Sequence, residues 1–166
     1  MASTAATQIH GKEREELAEI LRKRVSGEVR FDPFSRVLYS TDASIYQMEP
    51  VGVVIPQNVD DVLAAMEVAR ENNIPLLPRA GGTSLAGQTV NHAIVIDFSK
   101  NLNQVLEINS EEGWAKVQPG IVLDQLNREL APHGMMYAPD PTTSSRACVG
   151  GGIGNNTCGA HSVIYG

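Results

Sequence analysis

Residues 75–90 read PLLPRAGGTSLAGQTV, and within them GTSLAGQT (residues 82–89) departs from the Gly-x-x-x-x-Gly-Lys-Thr phosphate loop at one decisive position, where Gln88 replaces the lysine. That loop works because its lysine neutralises the outer phosphates and a helix starts on it, turning an N-terminus toward the anion. Here the charge is gone. The residues that follow run into AIVIDF (93–98), which predicts a strand. The Gly-x-Gly-x-x-Gly dinucleotide fingerprint is absent from this stretch and from GGGIGNNTCG (150–159). What remains is a different kind of cradle. Gly81 and Gly82 let backbone N–H groups turn inward as a nest, and Thr83, Ser84 and Gln88 add neutral donors. Arg79 either brings one charge nearby or pairs with a surface carboxylate. Neutral donors suit a phosphate that is held and left intact, because hydrolysis demands stronger charge stabilisation of its transition state.

Outward from the loop, the spacing predicts a strand at VGVVIP (51–56), then a helix capped by Asn58 with Val59, Val62, Leu63 and Met66 on its apolar face. Asn72 and Asn73 close that helix, and PLLP (75–78) forms the next strand. Strand, helix and strand make a βαβ unit, for which a parallel pair with a right-handed crossover is expected. Further out, QVLEIN (104–109) and WAKVQ (114–118) around SEEG predict a hairpin, and a helix over 122–131 stops at Pro132 and Gly134. Toward the N-terminus, Leu17, Ile20, Leu21 and Val25 predict a helix over 12–25 with Gly27 as its C-cap, preceded by a short polar tail. The turn-rich FDPFSRVLYSTDAS (31–44) offers no element. The fold class is α+β. Residues 139–166 carry only Asp140 and Arg146 as charges and are too rich in glycine for a regular element. Their backbone either approaches a ligand closely or makes tight turns under a covering element.

The bulk composition bounds the function. The chain has 166 residues, 42% hydrophobic and 19% charged, which is globular. A net charge of -6 gives no footprint for nucleic acid or anionic lipid. No apolar run is long enough to span a bilayer. Cys148 and Cys158 lack the companions that a metal site requires, so no metal is expected; they read as small buried thiols in a reducing, cytoplasmic compartment.

Two stretches in this order and separation, VVIPQNVDDVLAAMEVARENNIPLLPRAGGTSLAGQ and PDPTTSSRACVGGGIGNNTCGAHSVIYG, resemble the FAD-linked oxidases of the vanillyl-alcohol oxidase (p-cresol methylhydroxylase) superfamily, in its glycolate oxidase and D-lactate dehydrogenase branch. The resemblance runs from about Phe31 to Gly166. It implies an N-terminal tail and helix over 1–30 and a PCMH-type FAD-binding domain over 31–166: a first βαβ subdomain and the start of a second, antiparallel one. It further implies FAD-binding roles for Arg79, Ala80, Gly81, Gly82, Thr83, Ser84, Gly87 and Gln88 at the pyrophosphate. Near the flavin it implies roles for Pro139, Asp140, Thr143 and Ser144, and beside it for Gly151, Gly152, Asn155 and Asn156. In the family the reaction is oxidation of a 2-hydroxy acid such as D-lactate or glycolate by hydride transfer to flavin N5, followed by reoxidation by a quinone, a protein or oxygen. Some long members of the branch carry a C-terminal iron–sulfur module.

Three departures qualify this. Ala80 replaces a glycine common in relatives, which the turn tolerates if its φ is negative. The loop lacks the histidine, and Cys148 misses the position, through which some relatives bond FAD covalently, so the expected cofactor is non-covalent FAD. Relatives are also much longer, and their acid–base residues lie mostly beyond this stretch, so no catalytic residue is assigned. His161 reads either as a catalytic base or, the weightier reading, as a structural histidine at a domain seam. As an N-terminal part, the chain alone is expected to hold FAD poorly, turn over no hydroxy acid and self-associate. Two alternatives stand beside this: a nucleotide-phosphate binder with a degenerate P-loop, and a non-catalytic interaction domain.

Overall fold

The computed structural model describes Ile9 and residues 11–165; the remainder of the polar tail lies outside them. Four strands form the main sheet in the order β1 (Glu28–Arg30), β2 (Gly52–Ile55), β4 (Ile94–Asp97), β3 (Leu76–Arg79). β4 pairs in parallel with both β2 and β3, and β1 runs antiparallel along β2. The expected parallel pair is therefore corrected: β2 and β3 never meet, because β4 is inserted between them. β4 earns the centre chemically, since Ile94, Val95 and Ile96 are apolar, β-branched and buried on both faces. Pro78 cannot donate to a ladder on both sides, and it sits on the edge strand.

Two helices cover one face. α1 (Gly11–Arg24) contributes Leu17, Ala18 and Leu21, and α3 (Val59–Glu71) contributes Ala65, Val68 and Ala69, to a core with Phe31, Val54, Ile94 and Ile96. The apolar face expected for α3 is corrected here. Val59, Leu63 and Met66 are exposed, and Asp61 turns inward instead. Asp61 is buried because it is fully partnered: its carboxylate accepts from Ser26 N (2.7 Å), Ser26 Oγ (2.8 Å) and Gln57 N (2.8 Å). Small Ala65 and Ala69 then let α1 pack closely. Asn58 caps the helix by accepting from Asp61 N at 2.9 Å. Gly27 is not a C-cap; a Cβ there would lie 2.2 Å from the Ile55 carbonyl oxygen.

On the opposite face Val53, Ile55 and Val95 pack with Tyr39 and Leu77. Tyr39 is the C-cap of a short helix absent from the sequence reading, α2 (Pro33–Leu38), which starts on Asp32 as N-cap with proline at its first turn. The second unit is the expected hairpin, β5 (Val105–Asn109) with β6 (Trp114–Val117), over α4 (Leu123–Leu130). Ile121, Leu123, Leu126, Leu130, Ala147 and Val149 form its core. Residues 139–165 are not wholly irregular, as expected from their glycines: VGGGIG is α5 (Val149–Gly154), and Ser162–Tyr165 is α6.

Burial alone would raise the Asp61 carboxyl, but donors from Gln57 and Ser26 outweigh it and hold its pKa below the ordinary aspartate value. A depressed folded pKa stabilises the fold above the unfolded value of about 3.9 and loses that contribution as pH falls through it toward the folded one. Asp61→Asn should therefore cost ~1–3 kcal/mol at pH 7. Urea denaturation should show the wild type losing more stability than the variant between about pH 5 and pH 3.

Candidate functional site

The loop leaves β3 at Arg79 and reaches β4 at Ile94. No helix starts on it, and β4 follows, so the degenerate P-loop lacks its helix as well as its lysine. Gly82 has φ +62° and Gly87 φ +77°, in the left-handed region, while Ala80 is not among the positive-φ residues and so meets the condition set for it. The Gly82 carbonyl accepts from Ala43 N at 3.1 Å. In a trans peptide the next N–H points the opposite way, so this bond aims the Thr83 amide outward. The amides of Gly82, Thr83, Ser84 and Leu85 donate to no acceptor among the described residues. That run of free donors around a left-handed glycine can hold an anion such as phosphate.

A second stretch the sequence did not single out supports the loop from behind. Asp42 Oδ2 accepts from Thr89 N (3.3 Å) and Thr89 Oγ1 (3.0 Å), and the Tyr46 ring packs where a Cβ on Gly87 would stand, 2.7 Å from its Cδ2. Burial would raise the Asp42 carboxyl, yet donors from Ser44 and Thr89 leave its pKa lowered. Arg79 does not pair with a surface carboxylate. Its Nη1 donates to the carbonyls of Thr89 (3.1 Å) and Tyr39 (3.3 Å), and its guanidinium carbon lies 5.3 Å from the Tyr39 ring centroid. Burial pulls its pKa down, opposed by Asp97, Tyr39 and Asp42. Tyr39 in turn donates to Asp97 Oδ2 at 2.5 Å; burial first, and then this carboxylate, push the phenol pKa well up, so it remains a donor. Tyr39 and Asp42 lie in the segment read as turns and Tyr46 just beyond it, and nothing in their local sequence signals a partner some 40 residues away.

The glycine-rich tail meets this loop at two points. A Cβ on Gly81 would lie 2.3 Å from the Arg146 carbonyl oxygen, so only glycine permits the approach. Asn155 Nδ2 donates to Ser84 Oγ at 3.2 Å, which leaves the serine hydroxyl free to donate in turn. Gly152 is buried under the Tyr137 hydroxyl, whereas a Cβ on Gly151 would meet nothing within 4 Å. Asn156 closes this turn with φ +49°. The amides of Val149 and Gly150 are occupied by the carbonyls of Ile121 and Pro119, so the start of α5 is not an anion site.

The other predicted residues stand apart from the loop. Ser144 holds α4 through its carbonyl, which accepts from Asp124 N at 3.2 Å, and the Thr143 carbonyl accepts from Ala147 N at 2.7 Å. Asp140 (φ +51°) and Pro139 turn their carbonyls toward Ala160 N and His161 N. His161 Nδ1 lies 4.0 Å from Asp140 Oδ2, both half-exposed. Gln88 is exposed, and its Oε1 accepts from Ala86 N within the loop. Of the two cysteines, Cys148 is buried as expected, and burial pushes its thiol pKa up, but Cys158 is exposed, since its neighbours form a surface turn.

Comparison with known proteins adds four findings. A family described as FAD binding domain matches residues 50–166. The chain is 41% identical over 155 residues to D-2-hydroxyglutarate dehydrogenase of Escherichia coli K12, covering 90% of this chain and 15% of that protein. It is 36% identical over 148 residues to the glycolate oxidase subunit GlcD of Bacillus subtilis 168, covering 86% and 31%. A solved structure of p-cresol methylhydroxylase with substrate bound superposes with a TM-score of 0.69 at 18% identity, covering 90% of this chain and 30% of that one, which shows a shared α+β fold.

The two glycines at the joint should behave oppositely. Gly81→Ala forces the Arg146 backbone aside and should cost about 1–3 kcal/mol. Gly151→Ala has open space and should leave stability unchanged or raise it by up to ~1 kcal/mol. Thermal denaturation of the two variants checks this.

Proposed function

The chain belongs to the FAD binding domain family, and from that premise we propose that it is the cofactor-holding part of a flavin-dependent oxidoreductase acting on a small 2-hydroxy acid. The observation that carries the cofactor reading is the run of free amides from Gly82 to Leu85, displayed around a left-handed glycine with neutral hydroxyls beside it. These donors fit a pyrophosphate that is bound and kept, with no lysine to drive its hydrolysis. In this reading Ala80, Gly81, Gly82, Thr83, Ser84, Gly87 and Gln88 surround the pyrophosphate. Gly151, Gly152, Asn155 and Asn156 lie beside the flavin ring, with Pro139, Asp140, Thr143 and Ser144 near its polar edge. The openness above Gly151 supports close approach of a flat group there.

When bound, the flavin supplies a two-electron acceptor. The chain's own residues bind and orient it: the amides and the Ser84 hydroxyl hold its phosphates, and Gly151 leaves room at its face. The cofactor-binding unit is drawn over 31–166, with the preceding helix α1 packed against it. The chain spans 15% of the length of its Escherichia coli relative, so substrate binding and acid–base chemistry are proposed for the full-length protein. Its electron acceptor would be a quinone, a protein, oxygen or an iron–sulfur module. Among the described residues no helix is long and apolar enough to cross a membrane. Free thiols support a cytoplasmic setting.

Two outcomes test this. In the full-length protein, Gly82→Val meets a positive φ and places Cβ 2.8 Å from Arg79 Nη2. It should weaken FAD binding by about 2–4 kcal/mol, and unchanged affinity would overturn the loop assignment. Second, acid precipitation of the yellow holoprotein should release the flavin to the supernatant, and the holoprotein should reduce an artificial acceptor with D-2-hydroxyglutarate, D-lactate or glycolate. Colour retained in the washed pellet would show a covalent linkage, and no turnover with any of the three would refute the substrate class.

A further inference from the structure

We propose that Thr89 is the neck of the phosphate loop, clamped between Asp42 and Arg79, and that these two charged residues set how firmly the loop holds its ligand without touching that ligand. The inference rests on the cofactor reading above. It changes the role of Arg79, which moves from phosphate ligand to positioning residue.

Thr89 uses every polar group it has. Its N–H and hydroxyl go to Asp42, and its carbonyl accepts from Arg79 Nη1. Arg79 is the last residue of β3, so this last bond ties the start of the loop to its exit. The same nitrogen also donates to the Tyr39 carbonyl, and the guanidinium faces the Tyr39 ring. Tyr39 is itself fixed to Asp97, the last residue of β4. The clamp thus stands on the ends of two neighbouring parallel strands. Its two charges are opposite in sign, and each meets Thr89 through hydrogen bonds on a different side of one residue. Between start and exit, the Ala43 amide fixes the Gly82 carbonyl, and the Tyr46 ring lies against Gly87. Residues 39–46 therefore hold the loop at four places while leaving its outward amides free.

In this arrangement the hydrogen bonds of the guanidinium go to the protein backbone. Nη1 is spent on two carbonyls, and Nη2 lies under Gly82, 2.8 Å from where a Cβ would be. A solvent-facing cation on a phosphate makes affinity fall with salt, whereas a buried brace leaves the salt dependence as it was.

The test compares Asp42→Ala, Thr89→Val, their combination, Thr89→Ser and Arg79→Met in the full-length protein. FAD affinity is read by fluorescence at low and high salt, and amide hydrogen exchange is read in the apoprotein. Asp42→Ala and Thr89→Val should each weaken FAD binding on the order of tenfold. The combination should be no worse than the stronger single, because the hydroxyl–carboxylate bond that Thr89→Val removes is already lost in Asp42→Ala. Thr89→Ser should restore affinity. The bonded amides around the loop, those of Ala43, Ala86, Thr89 and Val90, should exchange faster in the two weakened variants, with β2 and β4 unaffected. Arg79→Met, which removes the charge and the donors together, should weaken binding without flattening the salt dependence. Unchanged affinity in both Asp42→Ala and Thr89→Val, additive losses in their combination, or a flattened salt dependence in Arg79→Met would each overturn the clamp. A parallel loss of protection throughout the sheet would also overturn it, by showing a general folding role. If the unmodified protein binds no FAD while loop exchange still responds to Asp42→Ala, the cofactor reading fails and the clamp stands.

Discussion

Everything at the site follows from β3 and β4 being parallel neighbours. Chain leaving β3 must travel back along the sheet before β4 can begin, and such crossovers are usually made by a helix that satisfies its own backbone. Here the crossover is residues 80–93, with no helix in it. Its amides and carbonyls have to find partners one at a time. Some find them in residues 39–46, and the rest face outward. The free amides of the loop are thus what an incomplete internal pairing leaves over, imposed by strand order.

The site also lies where two cores meet through a thin joint. The sheet has apolar layers on both faces, and the hairpin with α4 has a separate cluster. Between them run the contact of Gly81 with the Arg146 backbone and the bond from Asn155 to Ser84. Neither is a large apolar contact. Precision here comes from close backbone approach, which glycine makes possible and any larger residue disturbs.

Most of the regular elements were legible because burial leaves a period in the sequence. The β2 and β4 runs, α1, the hairpin and α4 all showed it. The exposed face of α3 misled, since Val59, Leu63 and Met66 keep helical spacing, while the buried face carries an aspartate whose partners Ser26 and Gln57 are invisible to periodicity. α5 hid behind its glycines, although its backbone bonds are ordinary. α2 had a readable signal in Asp32 followed by Pro33, a cap and a first-turn proline. The left-handed turns of the loop were legible from its glycines, but its supports were not. Asp42 reaches Thr89 across 47 positions, and Arg79 reaches Tyr39 across 40. Such partners are selected by the order of strands, which no local window contains.

The bond from Asn155 to Ser84 spans 71 positions, and that span has a temporal meaning during synthesis. At ~5–20 residues per second, a ribosome needs roughly 4–14 s to make the intervening chain. The strands up to β4 and both covering helices exist before then and can pack as a unit. The glycine loop therefore waits on the nascent chain, already braced by residues 39–46 but lacking its contacts with Arg146 and Asn155. Its outward amides are met by water through that interval, and the bond to Ser84 can form only when the glycine–asparagine turn emerges. Assembly of the site is ordered by translation, sheet first and joint last.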